Sequence, residues 1–222
     1  MSTRRAAIFD VDGTLVDTNH LHVVTWWEAF RQGGHRIPMR EIHRAVGLGS
    51  DDLIEHLLGK DRDREDDGQL EAAHHALYAT CFDRLPALDG AGDLLRALAG
   101  RGWTIVLATS ASGAELAALR RAIDADDVIL GAASADDVAD GKPAPDPVRQ
   151  ARDLADVPSE RAVFVGDTVW DMKAAVRDGV VPVAVLSGGI PRADLERAGA
   201  HAVYRDPADL LEQLDSSVFA DR

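Results

Sequence analysis

Four short, nearly continuous apolar runs stand out in the pattern of hydrophobic and polar positions along the chain. Such runs are typical of parallel strands that are buried on both faces, because a half-exposed strand would alternate apolar and polar residues. The runs cover residues 6–9, 103–108, 162–165 and 180–186, and residues 128–130 and 202–204 are weaker candidates. The pattern therefore predicts a sheet of buried parallel strands.

Helical patterns fill the gaps between these runs from residue 85 onward, and their ends carry capping signals. Alternating strands and helices predict an α/β fold with a Rossmann-like parallel sheet and right-handed crossovers. Two glycines mark predicted helix ends: Gly102 stops a helix over 89–101, and Gly179 closes a helix over 169–178. Ser112 and Glu115 have the spacing of a capping box at a helix start. Asp146 and Asp206 are predicted N-caps, because each precedes a proline, Pro147 or Pro207, at the first helical position.

Residues 18–84 differ from the rest because they contain no strand-like run. Their apolar spacing predicts four helices, over residues 21–32, 39–45, 53–58 and 70–82. Residues 60–68 are almost wholly charged with mixed signs, which predicts a solvated turn rather than a binding patch. The chain is thus predicted to hold a helical module, residues 18–84, inserted into an α/β domain of residues 1–17 and 85–222.

Composition and charge narrow the class of protein. A chain of 222 residues with 46% hydrophobic and 28% charged residues is ordinary for a soluble globular protein. The single cysteine, Cys81, excludes an internal disulfide and a cysteine-built zinc or iron–sulfur site. A net charge of −14 argues against nucleic acid or an anionic membrane surface as partner. The absence of a long apolar run and of a signal-peptide pattern predicts a cytoplasmic protein without a membrane span.

Two carboxylates follow the first predicted strand directly. Asp10 and Asp12 stand two residues apart, and Gly13 allows the backbone to turn sharply after them. In open α/β sheets ligands bind outside the carboxyl ends of the strands, so both side chains fall where a site is expected. The alternative is an Asp-rich turn without chemistry.

A second acidic pair, Asp167 and Asp171, lies at the end of another predicted strand. Instead of taking part in a site, Asp171 could simply cap a helix start or compensate its charge. A purely structural role is weaker for Asp167, because an unpaired carboxylate directly after a buried strand is costly. Clustered carboxylates without matching charge favour a hard cation, and Mg²⁺ suits carboxylates, waters and a substrate phosphate.

Two further features fall at the same edge of the predicted sheet. Thr109 and Ser110 end the second strand just before a helix start, where hydroxyls and free N–H groups form an anion site, unless they serve only as caps. Lys142, one of three lysines, precedes Pro143 between the two acidic strand ends. A surface lysine is the ordinary alternative, but this position favours a charge-balancing role.

These residues together resemble the four motifs of the haloacid dehalogenase superfamily, in its branch similar to phosphoglycolate phosphatase and β-phosphoglucomutase. The stretch from Asp10 to Thr14 matches the first motif, Thr109 the second, Lys142 the third and residues 166–171 the fourth. The resemblance covers essentially the whole chain. It implies that residues 18–84 form a helical cap over the site, with hinges near residues 17–18 and 85–86.

The resemblance also implies roles for the strand-end residues. Asp10 is the expected nucleophile, which forms an aspartyl-phosphate, and Asp12 is the expected acid and then base. Mg²⁺ is expected on Asp10, Asp167 and the backbone carbonyl of Asp12.

Thr109 and Lys142 are expected to bind the phosphoryl oxygens, together with Ser110. Asp171 is expected to orient Lys142 or a water on the metal rather than to ligate it. An acid at position 12 favours phosphoryl transfer over dehalogenation, since a halide leaves without a proton.

The predicted reaction is Mg²⁺-dependent hydrolysis of a small phosphate monoester, phosphoglycolate-like or sugar-phosphate-like, by a monomer or homodimer. His22 and Ser50 are candidate substrate contacts in the cap, although His22 also fits a purely structural role. A phosphomutase is the first alternative, but Ser50, Asp51 and Asp52 stand where that branch usually carries an arginine. A dehalogenase and a non-catalytic phosphate- or metal-binding regulator are the remaining alternatives.

Overall fold

A six-stranded parallel sheet, in the order β3-β2-β1-β4-β5-β6, forms the centre of the molecule. The computed structural model describes residues 4–134 and 140–220. The strands are β1 (Arg5–Phe9), β2 (Trp103–Ala108), β3 (Ile129–Ala133), β4 (Ala162–Gly166), β5 (Val181–Val185) and β6 (Ala202–Tyr204). The predicted α/β class and parallel sheet are confirmed.

Helices cover both faces of this sheet and fill the segment between β1 and β2. The α-helices are α1 (Asn19–Gln32), α2 (Met39–Ala45), α3 (Ser50–Leu58), α4 (Asp67–Ala79), α5 (Ala91–Gly100), α6 (Gly113–Ile123), α7 (Asp146–Leu154), α8 (Val169–Asp178), α9 (Arg192–Arg197) and α10 (Pro207–Glu212). Short 3₁₀ helices occur at Arg64–Asp66, Phe82–Arg84, Ser159–Arg161 and Leu214–Ser216.

Burial explains why the strands form from continuous apolar runs. Every residue of β4 is buried, and one side of the sheet packs in a cluster that includes Leu94, Leu107 and Val165. The other side packs in a second cluster that includes Ile8 and Phe164. Because neither face of the central strands meets solvent, no alternation of polar residues is needed.

The helix signals are confirmed at two ends and wrong at two others. Asp206 caps α10 by accepting from the Asp209 N–H, and Gly179 ends α8 in the left-handed region at φ +80°. At α6 the Ser112 side chain makes no capping hydrogen bond, so the predicted capping box is wrong. At α7 Pro145 occupies the N-cap position and Asp146 is already helical, because the proline can end the preceding turn without donating an N–H.

Helices α1 to α4 share a hydrophobic cluster of their own, which includes Trp26, Phe30 and Ile54. The chain enters and leaves this segment side by side, since the Asp17 N–H donates to the Pro86 carbonyl at 2.9 Å. The division into a cap of residues 18–84 and a core of residues 1–17 and 85–222 stays a prediction, and these contacts are compatible with it.

The charged segment 60–68 is more structured than the predicted solvated turn. Arg62 has a side chain only 6% exposed, and it pairs with Asp67 at 2.8 Å and with Glu55 at 3.4 Å. Two carboxylates on neighbouring helices therefore hold the guanidinium, which a list of mixed charges along the chain cannot reveal. No helix in the described part of the chain has the length and apolar character needed to cross a membrane.

Candidate active site

The strand order places two acidic residues side by side at the centre of the sheet. Strands β1 and β4 are neighbours, and β1 is where the order of the chain reverses, so their carboxyl ends flank a crevice. Asp10 follows β1, and its N–H donates to the Val165 carbonyl at 2.9 Å. Asp167 follows β4 directly. Both side chains therefore emerge at the same point.

Lys142 connects Asp10 to Asp171 at this crevice. The Lys142 ammonium donates a hydrogen bond to Asp10 Oδ1 and lies 2.8 Å from Asp171 Oδ1. The other Asp171 oxygen accepts from the Thr168 N–H and hydroxyl, while the Asp171 N–H donates to the Thr168 hydroxyl. Asp171 therefore completes the capping box of α8 with Thr168 and also pairs with Lys142, while its predicted role in orienting Lys142 stays a prediction.

Asp167 is fully buried and is held by Thr14, from the loop after β1, and by Asn19, the first residue of α1. Asn19 Nδ2 donates to its Oδ2 at 2.7 Å, and the Thr14 hydroxyl lies 3.1 Å from its Oδ1 and 3.1 Å from Asp10 Oδ2. Gly188 makes this approach possible, because a Cβ there would lie 2.7 Å from the Asn19 Nδ2 atom. The close packing requires a residue without a side chain.

The acidic residues carry more negative charge than the lysine balances. Carboxylate oxygens of Asp10, Asp167 and Asp171 come within 4.8 Å of one another, and all three residues are buried. Burial raises the pKa of Asp10 to about 7, opposed by Lys142 and reinforced by Asp171 and Asp12. Burial, with the charges of Asp10 and Asp171, also raises the pKa of Asp167 well above its ordinary value. Buried oxygen ligands with excess negative charge fit a divalent cation such as Mg²⁺.

Asp12 makes its side-chain contacts with the cap segment. Its Oδ1 accepts from the Thr18 hydroxyl at 2.6 Å and lies 3.2 Å from His22 Nε2. Burial alone would raise the pKa of Asp12, but the His22 charge and hydrogen bonds from His22 and Thr18 leave it below its ordinary value. Its side chain is therefore outside the group formed by Asp10, Asp167 and Asp171, and the predicted metal ligand at this position, its backbone carbonyl, stays a prediction.

His22 is buried against Asp12. Its Nδ1 lies 3.4 Å from His74 Nε2, and His74 Nδ1 lies 3.0 Å from the Thr25 hydroxyl. His74 also stacks on Trp26 with ring centroids 4.1 Å apart. The structure thus places His22 between the predicted acid/base residue and the interior of the cap, and its predicted substrate contact stays a prediction.

A cavity of about 620 Å³ opens between helices α3 and α4 and the carboxyl ends of the strands. Thr109, Ser110, Lys142 and Ser50 line it, which brings the predicted phosphate and cap residues together. A small extension of about 50 Å³ shares Ser50, Ser110 and Lys142 and reaches Asp10 and Asp12. The Thr109 hydroxyl accepts from the Ala111 N–H at 3.1 Å, beside the start of α6.

Glu115, Asn19 and His74 were not identified as site residues from the sequence. Glu115 lines the cavity near Asp12 instead of capping α6, and burial together with Asp12 raises its pKa to about 7. Asn19 follows the first motif closely, and that nearness was its only sequence signal. His74 sits on a helix with no motif at all, so only packing could reveal it.

Comparison with known proteins agrees with this geometry. The family model for haloacid dehalogenase-like hydrolases matches residues 4–179. The chain is 31% identical to a phosphoglycolate phosphatase from Rhodospirillum rubrum, over 95% of this chain and 90% of the relative. It is 30% identical to protein CbbY from Cereibacter sphaeroides, over 92% and 93% of the two chains.

A solved structure, a hydrolase from Pseudomonas syringae, is similar over 98% of this chain and 100% of the other, with 34% identity and a TM-score of 0.91. The fold, the strand-end aspartates and these matches define an enzyme class. The chain belongs to the haloacid dehalogenase-like hydrolase family.

Proposed function

We propose that this enzyme is a Mg²⁺-dependent phosphatase that hydrolyses small phosphate monoesters through an aspartyl-phosphate on Asp10. The observation that carries the proposal is the buried contact of Asp10 with Lys142, next to Asp167, in a small pocket that shares Ser110 and Lys142 with the main cavity. A carboxylate held by an ammonium and open to a cavity is suited to nucleophilic attack. The phosphatase names of the relatives support the same chemistry.

In the first step an Asp10 oxygen attacks phosphorus, and the bond from phosphorus to the leaving oxygen breaks. Lys142, Thr109 and Ser110 line the place where the phosphoryl oxygens would lie, so they would stabilise the added negative charge. The lowered pKa of Asp12 leaves its carboxyl ionised, so the proton for the leaving oxygen is the one that His22 Nε2 holds 3.2 Å from Asp12 Oδ1; Asp12 passes it on and the leaving group departs as a neutral alcohol.

In the second step the ionised Asp12 removes a proton from water, and the water oxygen attacks phosphorus. The bond between Asp10 and phosphorus breaks, which releases inorganic phosphate and restores both carboxyl groups. Thr18 and His22 keep Asp12 oriented toward the cavity between the steps.

Asp10 and Asp167 would hold Mg²⁺, with Asp171 close by and positioned by Lys142. When bound, the ion would reduce the repulsion between the Asp10 carboxylate and an anionic phosphate. Asn19 and Thr14 keep Asp167 in place, so their hydrogen bonds support the same ligand arrangement.

A phosphomutase would need an anchor for a second phosphate. Among the described residues that line the main cavity, only Lys142 and His75 are basic, and Lys142 is already paired with two carboxylates. Ser50, at the start of α3, stands where the mutase branch is expected to carry an arginine. The cavity therefore favours hydrolysis over intramolecular transfer.

The test compares Asp10→Asn with Asp17→Asn, an exposed aspartate on the same loop. Phosphate release from p-nitrophenyl phosphate should fall at least about a thousandfold in Asp10→Asn and stay unchanged in Asp17→Asn. EDTA should silence the wild type, and added Mg²⁺ should restore activity and raise its melting temperature. Substantial turnover by folded Asp10→Asn would rule out Asp10 as the nucleophile.

Asp12→Asn separates the two steps. The p-nitrophenolate ion leaves without a proton, so this variant should release about one equivalent rapidly and then stop, because the second step lacks its base. A steady rate equal to that of the wild type would place the base elsewhere.

A further inference from the structure

A line of side-chain contacts runs from Asp12 into the space between helices α1 and α4. His22 Nε2 lies 3.2 Å from Asp12 Oδ1, and His22 Nδ1 lies 3.4 Å from His74 Nε2. The other nitrogen of His74, Nδ1, lies 3.0 Å from the Thr25 hydroxyl oxygen. His22, His74 and Thr25 are at most 9% exposed, so protein groups rather than bulk water must satisfy their polar atoms. The phosphoryl-transfer steps use neither His74 nor Thr25.

Thr25 sets the direction of these hydrogen bonds. Its hydroxyl donates to the Leu21 carbonyl at 2.8 Å, with the His22 carbonyl at 3.2 Å as a second acceptor. A carbonyl oxygen can only accept, and a hydroxyl has a single proton to donate. The Thr25 oxygen must therefore accept the hydrogen bond from His74, which places a proton on His74 Nδ1.

The surroundings of His74 keep its ring neutral, so that it carries one ring proton. The ring stacks on Trp26 with centroids 4.1 Å apart and an interplanar angle of 7°. Burial, together with the charges of His22 and His75, lowers the pKa of His74 to about 2. Because its one proton is on Nδ1, His74 Nε2 is an acceptor. His22 must therefore donate from Nδ1 to His74, and its Nε2 faces Asp12.

We infer that His74 and Thr25 are positioning residues for proton transfer to the leaving group. They fix the direction of the hydrogen bonds, so that His22 donates at both ring nitrogens and presents its Nε2 proton to Asp12. In the first step that proton moves to Asp12 and then to the leaving oxygen. In the second step the proton that Asp12 takes from water returns to His22 Nε2. The inference rests on the proposed phosphatase function and extends it to two residues that act through His22.

The opposite direction would deprive His22 of one ring proton. If His74 carried its proton on Nε2, it would donate to His22 Nδ1, and His22 would hold only the proton that bonds Asp12. A neutral imidazole gives up such a proton far less readily than an imidazolium. The direction of the two hydrogen bonds at His74 therefore decides whether His22 can supply an acid.

The position of the His74 proton can be measured by long-range proton–nitrogen NMR correlation spectra of the Mg²⁺-loaded enzyme with isotope-labelled histidine. The His74 signals, assigned by their loss in His74→Phe, should show a protonated Nδ1 and an unprotonated Nε2. Thr25→Ser keeps the hydroxyl and should keep this pattern, whereas Thr25→Val removes the acceptor and should move the proton to Nε2.

Thr80→Val is the matched control for these spectra. It removes an exposed hydroxyl that donates to the Leu77 carbonyl, at the end of α4, and should leave the His74 pattern unchanged. A proton on His74 Nε2 in the wild type, or an unchanged pattern in Thr25→Val, would overturn the inference. Neither result depends on catalytic activity.

Leaving groups of different acidity test the consequence for catalysis. Ethyl phosphate needs a proton on its leaving oxygen, whereas p-nitrophenolate departs without one. In His74→Phe, kcat/KM by release of inorganic phosphate should therefore fall about tenfold more for ethyl phosphate than for p-nitrophenyl phosphate. Because kcat/KM covers only the steps up to departure of the first product, the later use of Asp12 as a base does not enter.

The threonine variants repeat the comparison without removing a ring. Thr25→Val should show the same selective loss on ethyl phosphate, Thr25→Ser should recover most of it, and Thr80→Val should match the wild type. An equal fall for both esters in His74→Phe would mean that His74 only supports the fold, which would overturn the inference and leave the phosphatase function intact. Failure of the wild type to release phosphate from either ester would instead overturn the proposed function.

Discussion

Replacing Gly166 by alanine should damage the site without touching a predicted catalytic residue. Gly166 ends β4, and a Cβ there would lie 2.6 Å from the Asp171 Cβ and Cγ atoms. Ordinary van der Waals contact begins at 3.4 Å, so Asp171 must move by about 0.8 Å. The buried strand cannot yield as readily as the side chain, because β1 and β5 flank it on both sides.

The displacement has two expected consequences. The helix α8 loses much of its capping box with Thr168, and Lys142 loses its 2.8 Å ion pair. A lost cap costs about 1 kcal/mol and overpacking about 1–3 kcal/mol, so the free energy of unfolding should fall by about 2–4 kcal/mol. At about 2–4 °C per kcal/mol for a chain of this size, the melting temperature should fall by about 4–16 °C. The misplaced lysine should lower kcat/KM by about 10- to 100-fold.

Thermal unfolding and p-nitrophenyl phosphate hydrolysis measure both effects. Gly131→Ala is the matched control, since it adds the same methyl group to β3, where no described atom lies within 4 Å of it. If Gly166→Ala matches Gly131→Ala in melting temperature and in kcat/KM, the packing of Asp171 against Gly166 does not position Lys142.

Two further predictions concern buried charges. Lys142→Ala leaves Asp10 and Asp171 buried without their cation, so the free energy of unfolding should fall by about 3–5 kcal/mol. Urea unfolding in the presence of EDTA measures this change. Replacement of the exposed Lys60 by alanine is the control, and it should lower the free energy of unfolding by at most about 1 kcal/mol. Equal losses would mean that the pair does not stabilise the fold. Burial, together with the charges of His22 and His75, lowers the pKa of His74 from 6.5 to about 2 in the folded state. Below pH 6.5 the unfolded state therefore binds a proton at His74 that the folded state does not. The free energy of unfolding is therefore unaffected by proton binding at His74 above pH 6.5, and it falls as the pH drops from 6.5 toward 2. Between pH 7 and pH 5 the free energy of unfolding of the wild type should therefore fall by about 2 kcal/mol more than that of His74→Phe. Urea unfolding at each pH measures this difference, and His201→Gln, at an exposed position, is the control. Parallel pH profiles would contradict this reasoning.

Sequence patterns identified the residues that end the strands. Buried parallel strands need continuous apolar runs, and their carboxyl ends share one edge of the sheet, so Asp10, Thr109 and Asp167 could be grouped before any coordinates. Lys142 could be added because so few lysines occur and because it lies between two acidic strand ends. The α/β class followed from the same alternation of strands and helices.

Only the tertiary structure decided which partner each of these side chains meets. Asn19 reaches Asp167 across 148 residues, and Lys142 reaches Asp10 across 132 residues. Glu115 has the spacing of a capping box but lines the cavity, because a helix pattern records local periodicity and not what packs against the helix. Local propensities and apolar periodicity act over a few residues, so the sequence alone determined the strands and most helices. Pairing, burial and the charge of the cavity wall depend on distant segments that meet only when the chain folds.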